Sequence, residues 1–150
     1  MGKLETANKQ VVQRYWDALA QRDWDSMKEL LTDDAHYTDV GVPGPGGTGP
    51  DGVIARLRIG LEPLEGYDHL PGSNMIAEGD LVMTEHTERW TFHTGEVIDH
   101  SFVSVTQSFS TADSMRDSTV ARAAISIVRT SSVPPPLTGT WPLGSANDGR

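Results

Sequence analysis

The sequence predicts a single α+β domain, with helices first and an antiparallel sheet after them. Apolar residues recur at helical spacing up to Leu61, the period falls to two from Tyr67 onward, and the alternating segments follow one another as a meander. At 150 residues the chain suits one domain with its own core.

Val12, Tyr15, Trp16 and Leu19 fall at i, i+3, i+4 and i+7, the buried stripe of a helix over residues 4–20. Asp23 caps a second, short helix with Trp24, Met27 and Leu31 on one face, and Thr32-Asp33-Asp34 stops it. Residues 36–40 read as a short strand. Residues 42–49 form a loop of Gly and Pro, without the Lys of a P-loop or the spacing of a dinucleotide fingerprint. Pro50 then opens a third helix with Val53, Ile54, Leu57 and Leu61 inward.

Strands follow at 74–78, 81–92 and 96–106, joined by turns at Gly79-Asp80 and His93-Thr94-Gly95. The domain is expected to occupy residues 1–107. Residues 108–132 are crowded with Ser and Thr, and only 120–128 has the pattern of a strand or helix. Residues 133–150, with Pro134-Pro135-Pro136 and late glycines, read as a disordered tail.

Composition narrows the function. With 21 acidic against 12 basic residues and a net charge of -9, a nucleic-acid partner is not expected. The absence of cysteine excludes disulfides and thiolate chemistry. No apolar run is long enough to span a bilayer, and the first ten residues lack the apolar core of a signal peptide. A cytoplasmic protein without a membrane partner is the expectation.

On the strand at 81–92, alternation puts Val82, Thr84, His86, Glu88, Trp90 and Phe92 on one face. The return strand puts Ile98, His100, Phe102 and Ser104 together. Large apolar groups mixed with a few polar ones suit a small-molecule pocket. Alternation alone leaves open whether this face points inward. If it does, a buried Glu88 needs a partner, and His86 is the natural one. His36, His86, His100, Asp39 and Glu88 are all metal-ligand types, but none sits in a ligand motif, so neither metal nor cofactor is expected. No serine has the glycines of a nucleophile elbow.

One further pattern emerges in order: Tyr15-Trp16, Trp24, Leu30-Leu31-Thr32-Asp33-Asp34-Ala35, a strand, and a Gly loop entering a helix. Over residues 6–106 this resembles the nuclear-transport-factor-2-like superfamily, which includes ketosteroid isomerase, SnoaL-type polyketide cyclases and limonene-1,2-epoxide hydrolase. The resemblance implies a cone-shaped α+β barrel, with N-terminal helices packed on a strongly curved antiparallel or mixed sheet. It also implies a homodimer and a pocket for a small apolar molecule, lined by Tyr15, Trp16, Trp90, Phe92, His100 and Phe102.

Thr84-Glu85-His86-Thr87-Glu88 is similar in spacing to the hydrolases' Thr-Glu-Arg-x-Asp, with His86 and Glu88 at the Arg and Asp positions. Tyr37 and Asp39 resemble the Tyr and Asn that hold the water. The hydrolase-like reading sets Asp39 and Glu88 against each other as acid and base, with Tyr37 orienting water and His86 replacing the bridging Arg. Because His, unlike Arg, titrates near neutrality, it implies an activity that changes between about pH 5 and 8. The family's late Trp-Arg-Asp motif has no counterpart after Gln107. Asp33-Asp34-Ala35 followed by Asp39 instead resembles the isomerases, and places Asp39 on their proton-shuttling base. The alternatives are proton transfer of the isomerase or cyclase kind, a non-catalytic ligand-binding or dimerisation module, and an inactive member with an aberrant C-terminus.

Overall fold

The computed structural model describes residues 2–39, 43–107 and 126–131. Helix α1, Lys3–Gln21, buries Val11, Val12, Tyr15, Trp16, Ala18 and Leu19 along the expected stripe. It ends at Arg22, a non-glycine residue held at φ 55. That conformation is uncommon, and here the Arg22 guanidinium donates to the Leu64 carbonyl at 2.6 Å and fixes the corner. Helix α2, Trp24–Leu30, starts as read: the Asp23 side chain accepts from the Ser26 N–H at 3.1 Å. Leu31, expected on its face, instead leaves the helix as extended backbone and remains buried. Helix α3, Gly49–Leu61, carries Pro50 in its first turn and buries the four expected apolar residues.

Seven strands follow the chain: β1 His36–Asp39, β2 Gly47–Thr48, β3 Leu64–His69, β4 Asn74–Glu78, β5 Leu81–Phe92, β6 Val97–Gln107 and β7 Ser126–Ser131. They form one sheet in the order β2-β1-β7-β6-β5-β3, with β4 also paired to β5. All pairs are antiparallel except β1 with β7, so the sheet is mixed. This is the expected α+β cone, left open between its β2 and β3 edges.

Two strands were not legible in the sequence. β2 is two residues long, inside the Gly-rich loop. β3 reads Leu-Glu-Gly-Tyr-Asp-His, too polar and broken by Gly66 to look like a strand. It forms because the twelve-residue β5 has edge to spare: β4 pairs with Leu81 to Glu85, and β3 with Glu88 to Phe92. The core lies between α1 to α3 and the inner sheet face, around Tyr15, Trp16, Tyr37, Leu64 and Val82. Among the described residues no helix is long and apolar enough to cross a membrane. Val40 of the expected first strand, residues 108–125 and 132 of the following segment, and the expected tail at 133–150 lie outside the described residues.

Candidate active site

The orientation of β5 is decided by burial. Val82, Thr84, His86 and Glu88 are buried, while Leu81, Met83, Glu85 and Arg89 are exposed. His86 and Glu88 therefore project inward, His86 4% and Glu88 0% exposed.

Taking a carboxylate out of water costs several kcal/mol unless hydrogen bonds replace the lost hydration. Around Glu88 they do. The Tyr67 hydroxyl donates to Oε1 at 2.7 Å, and His86 Nε2 lies 2.9 Å from the same oxygen. Trp90 Nε1 donates to Oε2 at 2.9 Å. An ionised carboxylate only accepts, so Nε2 is the protonated nitrogen of His86. The other ring nitrogen, Nδ1, is then the atom left to take a proton. It is buried and has no hydrogen-bond partner among the described residues.

His69 joins from β3, which pairs it directly with Glu88. Its Nε2 is 3.0 Å from the Tyr67 hydroxyl and 3.7 Å from Glu88 Oε1. The indole of Trp16 lies against both imidazoles, with ring centres 4.6 Å from His86 and 5.5 Å from His69. His69, His86 and Glu88 each bring one nitrogen or oxygen to within 4.8 Å of the others.

A cavity of about 530 Å³ opens beside this cluster, between α1, the end of β3 and the loop that follows it. Trp16, Asp17, Tyr67, His69, Thr84 and His86 contribute to its wall. Glu88 does not line it: the carboxylate stands behind His86. The Thr84 hydroxyl, like His86 Nδ1, is a buried polar atom without a partner among the described residues. An unmet buried group costs about 1–3 kcal/mol, so this wall favours a molecule that hydrogen-bonds to it.

The other residues singled out in the sequence go elsewhere. Tyr37 donates to Asp39 Oδ1 at 2.6 Å, and Arg56 Nη2 of α3 is 3.0 Å from Asp39 Oδ2. Neither Tyr37 nor Asp39 lines the cavity. The register is informative here: Asp39 aligns with Arg129, Arg129 with Ser104, and Ser104 with Thr84. Asp39 therefore shares the inner face with Glu88 but sits three strands away, about 14 Å along the sheet, and level with a residue four positions earlier in β5. His36 turns to the hydroxyls of Thr38 and Thr48.

Of the six aromatic residues expected around a ligand, Trp16 lines the cavity. Tyr15 is buried in the core against Trp16, and Phe92 packs on the core's edge. Trp90, His100 and Phe102 form a layer of near-parallel rings with centres 5.1–5.8 Å apart. Tyr67, His69 and Arg56 were missed. The signal for the first two was the i, i+2 spacing of polar aromatics in β3, hidden because β3 itself does not read as a strand. Arg56 lies three residues after Val53, at the margin of the apolar stripe of α3.

The profile of the SnoaL-like domain matches residues 12–122. Among solved structures, an NTF2-like protein of unknown function from Burkholderia pseudomallei is similar, at 22% identity and a TM-score of 0.65, over 83% of this chain and 90% of that one. An LEH-like epoxide hydrolase from M. tuberculosis is similar at 19% identity and a TM-score of 0.65, over 85% and 84%. A putative SnoaL-like polyketide cyclase from Shewanella putrefaciens is similar at 20% identity and a TM-score of 0.61, over 83% and 88%. No curated protein matches the sequence.

Proposed function

Because the chain belongs to the family of SnoaL-like domains, we propose that its cavity receives a small organic molecule and that His86, oriented by Glu88, removes a proton from it or from an attacking water. One observation carries this reading: His86 has Nε2 directed at a fully buried carboxylate, and its buried Nδ1 lacks a partner among the described residues. A carboxylate held behind an imidazole selects the tautomer and stabilises the imidazolium that forms. Here His86 is the catalytic residue and Glu88 a positioning residue.

Epoxide hydrolysis and polyketide cyclisation, the activities named for two of the similar structures, both need a proton moved at a defined atom. A scheme with Asp39 and Glu88 on opposite sides of one substrate is less well supported. The register sets them apart, and Asp39 is already held by Tyr37 and Arg56. A single imidazole–carboxylate pair acting on an enolisable carbonyl or on water fits better.

The test is a screen of purified protein against enolisable ketones and epoxides, followed by variants on whichever compound reacts. His86→Gln and Glu88→Gln are each expected to lower kcat roughly 10²–10⁴-fold while circular dichroism stays unchanged. Full turnover in either folded variant excludes the pair as the base.

A further inference from the structure

We propose that His69, His86 and Glu88 form a binding site for one divalent transition-metal ion of the zinc class. Two imidazole nitrogens and one carboxylate oxygen are a donor set suited to zinc and its neighbours, and unsuited to calcium or magnesium, which prefer oxygen. The spacing fits. Tetrahedral ligands at ~2.1 Å from an ion stand ~3.4 Å from one another. Here His86 Nε2 is 2.9 Å and His69 Nε2 3.7 Å from Glu88 Oε1, with all three atoms inside 4.8 Å. The two spacings to Glu88 lie within about half an ångström of the tetrahedral value and the third is under 4.8 Å, so closing on an ion takes side-chain shifts on the order of an ångström or less.

The surroundings support a cation. Ligating carboxylates are ordinarily hydrogen-bonded by outer groups, and Tyr67 and Trp90 already donate to Glu88. Among the described residues, the adjoining cavity carries Asp17 and Asp68 in its wall and neither Lys nor Arg. It leaves room for water or a ligand at the open fourth position, as in a site with three protein ligands. The three other histidines do not compete: His36 is engaged by Thr38 and Thr48, His93 is exposed in the turn after β5, and His100 lies in the ring layer with Trp90 and Phe102.

Coordination through Nε2 moves the His86 ring proton to Nδ1, with no net proton released from a neutral ring. The ion and the shared proton thus compete for one gap, and a bound ion takes from His86 the lone pair that makes it a base. This regulatory consequence rests on the proton-transfer reading, whereas the binding itself does not.

The experiment titrates the chelator-treated full-length protein with Co²⁺, then displaces it with Zn²⁺. One equivalent is expected to bind with the visible absorption of a four- or five-coordinate site, and Zn²⁺ to abolish it. His69→Gln leaves the His86–Glu88 pair in place, and is expected to weaken binding at least about 100-fold, beyond what loss of an outer partner costs. Absence of a stoichiometric site, or an affinity in folded His69→Gln or Glu88→Gln equal to that of the unaltered protein, overturns the proposal. Turnover is measured separately in metal-free protein, so failure of the base and failure of the metal site are distinguishable.

Discussion

Trp90 Nε1 donates a hydrogen bond to Glu88 Oε2 at 2.9 Å, two residues along the same face of β5. The strand thereby supplies its own buried acid with a donor on one side and, through His86, on the other. Trp90→Phe keeps a ring in the layer with His100 and Phe102 but removes the donor. Because the acceptor is charged and buried, we expect a loss of about 1.5–3 kcal/mol in urea denaturation. An unchanged midpoint would show that the bond contributes nothing in solution.

Arg56 and Asp39 form an ion pair with side chains only 21% and 17% exposed, whereas Lys28 and Asp51 are 53% and 86% exposed. Solvent screens the second pair and much less the first. A double-mutant cycle with Arg56→Met and Asp39→Asn should return a coupling of about 1 kcal/mol or more. The corresponding cycle on Lys28 and Asp51 should return none that can be measured. Equal couplings contradict this ranking.

The Ser26 hydroxyl, and after it the Ser26 N–H, hold the Asp23 carboxyl below its ordinary value of 3.8. A group with a depressed folded pKa stabilises the fold above the unfolded value, and that contribution disappears as the pH falls through the folded one. Asp23→Ala should therefore lower Tm by roughly a few degrees near neutrality. The difference between the two proteins should shrink below about pH 3.8. A gap in Tm that stays constant down to strongly acid pH contradicts the cap's dependence on charge.

Two glycines of the α3 region should respond in opposite directions. A Cβ at Gly47 meets the Gly52 carbonyl oxygen and, at 2.7 Å, the Val53 Cα, both backbone atoms that cannot swing aside. Gly47→Ala is expected to cost about 1–3 kcal/mol by forcing β2 from the start of α3. Gly60 lies on the exposed side of α3 with nothing within 4 Å of its added Cβ. Gly60→Ala is expected to stabilise by about 0.5–1 kcal/mol through helix propensity alone. Thermal denaturation of both variants checks the pair.

The helices and the long hairpin were legible because their signals are local. The stripe from Val12 to Leu19, the Asp23 cap, Pro50 and the alternation of β5 each state a structure within a dozen residues. The short strands were not, because β2 and β3 exist through the edges they pair with rather than through their own composition.

By itself, then, the sequence determined the α+β class and that His86 and Glu88 share one face of a strand, since backbone periodicity and turn chemistry are properties of neighbouring residues. Only the tertiary structure decided that this face is the buried one, that Tyr67 and His69 arrive from β3 to meet Glu88, and that Asp39 is held by Arg56 elsewhere. The physical reason is that a charged side chain is buried where donors from several strands converge, and strand register, which brings distant residues together, is written in no single segment.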